Sequence, residues 1–355
     1  MNRRSLCTYD LCSFVMQTKR QIQQLLATAG VSANKRLGQH FLIDLNLMRL
    51  LIDSAEITGE DIVLEVGCGT GSLTEGLVEK AGRVIAVEID RTLAEIARMW
   101  LAEAGNVEII NADVLESKST INPAVTEALA TARKGFSGRT LLVANLPYNI
   151  ASPLILNLAT GPVTAAGMYV TVQKEVAERM TARPGCGEYG TLSIFLRATG
   201  DVRRIRVLKP SVFWPQPQVD SAMVAFVRDE AKASIIQDFV LFSEVVRLLM
   251  GHRRKTLSAC TKKLSRNPKC HSERSEESVI PANQTLRPAQ TPRAPCGGDS
   301  FEIAAKPARG RLGQIDNWLA IFEKCSINPG HRPEQLRPED YVAVANVCSA
   351  RVANP

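Results

Sequence analysis

Between Asp61 and Ala144 the chain alternates short, mainly apolar runs with longer stretches in which apolar positions recur every three or four residues. The short runs predict strands at 62–66, 84–88, 107–111 and 141–144, and the periodic stretches predict helices at 72–81 and 91–104. Strands apolar on both faces and separated by helices form a parallel sheet covered on both sides. Residues 116–138 read as a helix with loose flanks that leads into the strand at 141. A fifth strand is predicted at 168–172, followed by a helix from Gln173 to about Thr181, and glycines at 185, 187 and 190 then loop to 192–195. Upstream, helical spacing covers 19–29, closed by Gly30, and about 44–55. Downstream, a Pro-rich aromatic loop at 212–221 precedes a strand at 222–227, and the pattern turns helical after Ala231.

Two segments lack any such pattern. Residues 1–15 carry Cys7 and Cys12 without partners, so 1–18 reads as an arm or a mis-set start, with Met16 opening the folded protein. Residues 265–311 fill with Pro, Ser, Arg and Gly and cannot bury enough apolar surface to order themselves, which predicts a disordered insertion. Helical order resumes at 315–324, and a last helix runs from 337 to about 349. At 355 residues and 45% hydrophobic, the chain is long enough for two domains, expected at 19–230 and 231–350.

Composition narrows the compartment and the partner. The nine cysteines include no C-x-x-C pair and no metal-like His/Cys spacing, and no secretory signal is visible, so reduced thiols, a cytoplasmic protein and no metal site are expected. The uncharged run 140–173 is long enough to span a bilayer, but Asn145, Pro147, Asn149, Pro153 and Gly161-Pro162 interrupt it, and no membrane association is expected. Net charge is +7, and between Arg203 and Lys263 twelve Lys or Arg stand against five Asp or Glu, so the whole excess lies in that segment. Clustered positive charge favours a polyanion. The basic segment around Lys35 and Arg36 is a candidate phosphate contact that equally suits a solvated turn, and the triplet Arg253-Arg254-Lys255 suggests a phosphate grip from a small helical domain.

The chemistry gathers at strand ends. Val63-Leu64-Glu65-Val66-Gly67-Cys68-Gly69-Thr70-Gly71 is a strand running into alternate glycines, where backbone N–H groups can close on a ligand. Glu88 ends the next strand about 20 residues later, the position at which nucleotide folds place an acid that accepts from ribose hydroxyls. A dinucleotide fingerprint wants Gly or Ala at position 72, where Ser72 stands, so the loop fits the E-x-G-x-G-x-G pattern of enzymes that use S-adenosylmethionine. Asp113 ends a third strand and is placed to accept from an adenine amino group. Asn145-Leu146-Pro147-Tyr148 ends a fourth. The Asn145 side-chain oxygen and the Leu146 carbonyl can accept the two hydrogens of an exocyclic amine, Pro147 helps aim that carbonyl, and Tyr148 offers a stacking face for a flipped base. Phe213 in the aromatic loop either closes over the base opposite Tyr148 or packs in the core.

Through K-R-L-G-Q-H-F-L at 35–42, E-V-G-C-G-T-G at 65–71, N-L-P-Y at 145–148, Q-K-E at 173–175, the F-W-P-Q-P-Q-V-D-S loop and H-R-R-K-T at 252–256, the chain resembles the ribosomal RNA adenine N6,N6-dimethyltransferases that act on small-subunit rRNA. The resemblance implies a Rossmann-like α/β methyltransferase sheet with a small C-terminal helical domain that binds RNA. It also implies that S-adenosylmethionine is contacted at His40, Leu42, Gly67, Glu88, Asp113 and Asn145, and that two methyls go to each of two adjacent adenosines near the rRNA 3′ end. The expected partner is rRNA within a pre-30S particle, bound by a monomer. Position 40 departs from the family, which usually shows Asn, but His can still donate and accept. Alternatives are a large-subunit rRNA methyltransferase of the antibiotic-resistance type, a non-catalytic RNA-binding assembly factor, and a DNA adenine methylase, whose tetrapeptide usually begins with Asp.

Overall fold

The computed structural model describes residues 16–33, 39–265 and 311–353. The chain enters through α1 (Lys19–Thr28), β1 (Phe41–Leu42) and α2 (Leu45–Ser54). Thr18 and Gln21 form a capping box on α1, and the Asp44 carboxylate accepts the Asn46 and Leu47 N–H groups to start α2, so both helices begin where a side-chain acceptor is available. Then follow β2 (Ile62–Val66), α3 (Ser72–Val78), β3 (Arg83–Glu88), α4 (Arg91–Trp100), β4 (Val107–Asn111), β5 (Leu115–Ser117), β6 (Thr120–Ile121), α5 (Pro123–Ala132) and β7 (Thr140–Asn145). The second half adds α6 (Ala151–Thr160), β8 (Gly167–Gln173), α7 (Lys174–Thr181), α8 (Thr191–Thr199), β9 (Gly200–Leu208), β10 (Phe213–Trp214) and β11 (Ser221–Arg228). It closes with α9 (Glu230–Ser234), α10 (Phe239–Met250), α11 (Leu257–Ser265), α12 (Trp318–Lys324) and α13 (Pro338–Ala353).

Seven strands form one sheet in the order β4-β3-β2-β7-β8-β11-β9. The first five are parallel, and β11 runs antiparallel to both of its neighbours. Strand order reverses between β2 and β7, the point at which open α/β sheets leave a crevice beyond their carboxyl ends. Alternate residues feed two cores: Ile62, Leu64 and Leu142 pack with α5, α6 and α8 on one face, and Val63, Leu141 and Val143 pack with α2 and α3 on the other. At the opposite end, the buried Asp61 carboxylate accepts from the backbone N–H groups of Thr58 and Arg139 and from the Arg139 guanidinium, 2.7 Å away. Burial alone would raise that acid, but these donors hold it at about 2 and tie the start of β2 to the start of β7.

The helices after Glu230 share the buried cluster of the first face. Phe242 of α10 meets Phe195 of α8 edge-on at 5.0 Å, and the Tyr189 hydroxyl donates to the Leu336 carbonyl at 3.0 Å.

Several expectations are corrected. Within 116–138 the helix is confined to α5, and its leading flank is not merely loose. A short antiparallel pairing of β5 and β6 comes first, and α5 starts only at Pro123, where Asn122 caps it and a proline without an N–H is tolerated. The helix expected at 91–104 ends at Trp100. Residues 192–195 belong to α8, and the edge strand β9 was not expected at all. Of residues 16–18, assigned to the arm, the first two are packed: Met16 is buried and Gln17 wholly so, while Thr18 caps α1. Ser265 closes α11 and Arg311 opens a single 3-10 turn, Arg311–Gln314, so both ends of the expected insertion belong to ordered elements. Residues 1–15 and 266–310, on which the arm and insertion otherwise fall, lie outside the described residues.

Candidate active site

Gly67, Gly69 and Gly71 all take positive φ, which lets the chain leave β2, turn tightly and enter α3. Two of them also need the space. A Cβ at Gly67 would stand 3.0 Å from the Pro147 ring, and one at Gly69 would stand 2.8 Å from the Phe41 ring. The glycines thus bring the loop against both the Asn145–Tyr148 tetrapeptide and the segment after Gln39.

Glu88 closes the next side. It is 4% exposed; one carboxylate oxygen accepts the Gly69 N–H at 2.8 Å and the other accepts the Asp90 N–H at 2.9 Å. Burial raises this acid above the ordinary carboxylate range, and the two N–H donors oppose that rise. Each oxygen keeps a further lone pair. Asp113, just beyond β4, caps the Leu115 N–H with one oxygen at 2.9 Å, and it lines the same cavity. Deeper in, Glu65 is 2% exposed, one of its carboxylate oxygens has no hydrogen-bond partner, and burial pushes the group up to about 8. Burial also lifts the Cys68 thiol, so that side chain is a poor nucleophile.

Asn145, at the end of β7, donates its side-chain N–H to the His40 carbonyl at 2.8 Å. A carbonyl only accepts, which fixes the amide with its oxygen turned away from His40. Leu146 is buried, and its N–H donates to the Thr171 carbonyl at 3.1 Å, fastening the tetrapeptide to β8. The Tyr148 hydroxyl bonds Ser221 at 2.8 Å, and its ring stacks on His40 with centroids 5.5 Å apart. His40 in turn donates from Nδ1 to the Pro215 carbonyl at 2.7 Å, so its imidazole is engaged by the aromatic loop and by Tyr148.

The cavity therefore brings together His40, Leu42, Gly67, Glu88, Asp113, Asn145, Leu146, Pro147 and Tyr148 of the expected residues. It does not include Phe213. That ring is 2% exposed in the core beneath β1, where Leu42 pairs with Phe213 and Phe41 with Trp214, so the expectation that it closes over a base is corrected: the short β1–β10 ladder turns it inward. Arg253 is partly buried, its guanidinium held by Glu334 at 3.1 Å and by the Gly187 carbonyl at 2.9 Å, whereas Arg254 and Lys255 are exposed. Lys35 and Arg36 lie outside the described residues. Among the described residues no group of three His, Cys, Asp or Glu side chains is placed to hold a metal, and no helix is long and apolar enough to cross a membrane.

Two residues that sequence reasoning missed complete the site. Gln17 is fully buried; its Nε2 donates to the Thr70 carbonyl at 2.8 Å, and its Oε1 accepts from the Thr70 hydroxyl at 2.6 Å. Gln39 donates to the Asp90 carboxylate at 3.2 Å, joining the segment before β1 to the cap of α4. The only sequence signal for Gln17 is its place directly before the Thr18–Gln21 capping box.

The model of the family described as "Ribosomal RNA adenine dimethylase" matches residues 30–285. A ribosomal RNA small subunit methyltransferase A from Geobacillus sp. (strain WCH70) is 38% identical over 242 residues, which is 68% of this chain and 80% of that protein. The protein of the same name from Geobacillus thermodenitrificans (strain NG80-2) is 39% identical over 240 residues, again 68% of this chain and 80% of the relative. Among solved structures, a dimethyladenosine transferase from Plasmodium falciparum aligns with a TM-score of 0.59 at 25% identity, covering 86% of this chain and 95% of that one. The 23S rRNA methyltransferase ErmE aligns with a TM-score of 0.51 at 20% identity, covering 87% and 99%, a likeness of fold alone.

Proposed function

Because the chain belongs to the ribosomal RNA adenine dimethylase family, it is an rRNA adenine methyltransferase of the small subunit, and we propose that the cavity beyond β2, β3, β4 and β7 is where an adenine amine is dimethylated. The observation that carries this reading is the fixed Asn145 amide, whose oxygen is left as an acceptor beside the glycine loop.

The residues fit S-adenosylmethionine. The loop forms a cradle that a Cβ at Gly67 or Gly69 would fill, Glu88 and Asp113 keep acceptor capacity at the cavity wall, and a buried Glu65 oxygen lacks a partner. Glu88 would take the ribose hydroxyls and Asp113 the adenine amino group, with Leu42 and Gly67 shaping the wall and His40 fixing the neighbouring Asn145. When bound, S-adenosylmethionine supplies an electrophilic methyl on a sulfonium.

The substrate end needs no titrating base. Asn145 Oδ1 and the Leu146 carbonyl accept the two N–H groups of the amine, which holds the nitrogen and stabilises the positive charge that builds on it. Pro147, packed against Gly67, sets the distance between the two halves of the site. Tyr148 offers the base the ring face that His40 does not cover.

We also propose a pre-30S particle as the substrate, a monomeric enzyme, and a cytoplasmic location, in keeping with the free thiols of Cys68, Cys186, Cys260, Cys325 and Cys348. In the same reading, the helices after Glu230 form a smaller RNA-binding unit through the exposed Arg254 and Lys255. The test is methyl transfer to small subunits lacking the modification, followed by mass spectrometry of the digested rRNA. The expected product is N6,N6-dimethyladenosine at two adjacent positions. Absence of both cofactor binding and dimethylated nucleoside overturns the reading.

A further inference from the structure

The strand β9 is the open edge of the main sheet, and it carries Arg203, Arg204 and Arg206, all exposed. Among the described residues none of the three guanidiniums has a hydrogen bond or an ion pair. The nearby acids are engaged elsewhere: Asp201 pairs with Lys232 at 2.7 Å, and Asp220 with Lys209 at 3.6 Å. Glu175 and Glu178 of the adjacent α7 lie within 4.0 Å of Arg179 and Lys174.

A bulge arranges these arginines around the edge. Arg203 and Arg206 stand opposite Ala225 and Met223, on the α2 side of the sheet, whereas Arg204 stands opposite Val224 on the other side, and Ile205 is the extra residue between them. Without the bulge, Arg206 would share a face with Arg204. With it, positive charge flanks the strand rim from both sides. The rim also has a direction. Leu208 pairs with Ser221, and Ser221 holds the Tyr148 hydroxyl, so the strand runs from the far end of the sheet toward the mouth of the cavity. From Arg203 to Lys209 the strand extends about 20 Å.

We propose that β9 is a docking rail for the RNA strand that flanks the target adenosine, with Arg203, Arg204 and Arg206 gripping successive phosphates and leading the chain to Tyr148. The inference rests on the adenine methyltransferase reading above and adds to it the path of the substrate. Unpaired arginines along an unpaired sheet edge can also serve only to keep that edge from pairing with another copy, and the experiment separates the two.

The triple variant R203Q/R204Q/R206Q is compared with wild type and with K80Q/R133Q/K134Q, which removes the same charge from the turns before β3 and β7, away from β9. Binding to a transcript of the 3′ domain of small-subunit rRNA is measured across a series of KCl concentrations, and S-adenosylmethionine affinity by calorimetry serves as the folding check. The β9 variant is expected to lose about tenfold in RNA affinity, with its log–log salt slope smaller by about 2, since each neutralised phosphate on a single strand contributes about 0.7. Cofactor affinity, and kcat at saturating RNA, stay at wild-type values. The control variant keeps the wild-type slope. Should the β9 variant fold poorly, ultraviolet crosslinking of wild-type enzyme to the same transcript gives a second readout, with crosslinked peptides expected from 203–209. An unchanged slope, no crosslink in β9, or self-association of the β9 variant with RNA affinity intact overturns the rail. If wild type itself neither binds nor methylates the RNA, the underlying reading fails instead.

Discussion

The side-chain nitrogen of Asn145 lies 2.8 Å from the main-chain oxygen of His40, 105 residues away in sequence. This bond does more than join two segments. It decides which end of the amide faces the cavity, and so makes an acceptor of a side chain that can present either character. Asn145→Ala removes the acceptor, and Asn145→Asp sets a carboxylate oxygen against the His40 carbonyl. Each is expected to lower kcat by about 100-fold or more, the scale for losing one positioned charge-stabilising group. Steady-state kinetics on small subunits, with cofactor affinity by calorimetry, checks this. Wild-type turnover in either variant would remove Asn145 from the reaction.

Gln17 acts on the other wall of the site. Its amide exchanges two hydrogen bonds with Thr70, and its backbone N–H reaches the Ser72 hydroxyl at 3.1 Å, so one buried residue spans the glycine loop and the first turn of α3. Gln17→Ala strands a buried carbonyl and a buried hydroxyl, at a cost of about 1–3 kcal/mol. The expected outcome is a lower Tm together with about tenfold weaker S-adenosylmethionine binding, while kcat at saturating cofactor changes little. Gln17→Asn, one methylene short, should recover neither property fully. A variant with lower Tm and unchanged cofactor affinity would make Gln17 a packing residue only.

What could be read from the sequence follows from these distances. Glu88, Asp113 and Asn145 stand at or just beyond the ends of strands recognisable as short apolar runs, and once the sheet is parallel their convergence follows from topology. Gln17 was hidden because its partner lies 53 residues on and is partly main chain. Phe213 is ambiguous between base and core in the sequence because a two-residue ladder such as β1–β10 leaves no periodic trace. β9 escaped notice because the bulge at Ile205 breaks the alternation by which an edge strand is recognised, and its arginines read as surface charge.

Glu65 gives the fold a pH dependence of definite sign. Its carboxyl is pushed up to about 8 from 4.5, chiefly by burial, with the Glu88 charge adding to the rise. Between those values the folded chain binds a proton that the unfolded chain has released, so this group's contribution to stability falls as pH rises from about 4.5 toward 8. Glu65→Gln keeps the size and removes the ionisation. Near pH 5 the variant and wild type should melt within a few degrees of each other, and the variant should gain on wild type steadily up to pH 8. Thermal scans across that range without cofactor provide the check, and a constant gap between the two curves would contradict the assignment.

Neighbouring arginines at the end of α10 are predicted to behave in opposite ways. Arg253 is bound by Glu334 and by the Gly187 carbonyl, so it ties the loop before α8 to the C-terminal helices, and Arg253→Gln should lower Tm by removing a half-buried pair. Arg254 and Lys255 are exposed, and among the described residues neither has an ion pair. The variant R254Q/K255Q should therefore melt with wild type yet bind rRNA more weakly, its salt slope reduced by about 1.4 at about 0.7 per phosphate. Differential scanning calorimetry and salt-dependent filter binding separate the two effects. If R254Q/K255Q lowers Tm while leaving the slope unchanged, the basic triplet belongs to the scaffold rather than to the RNA contact.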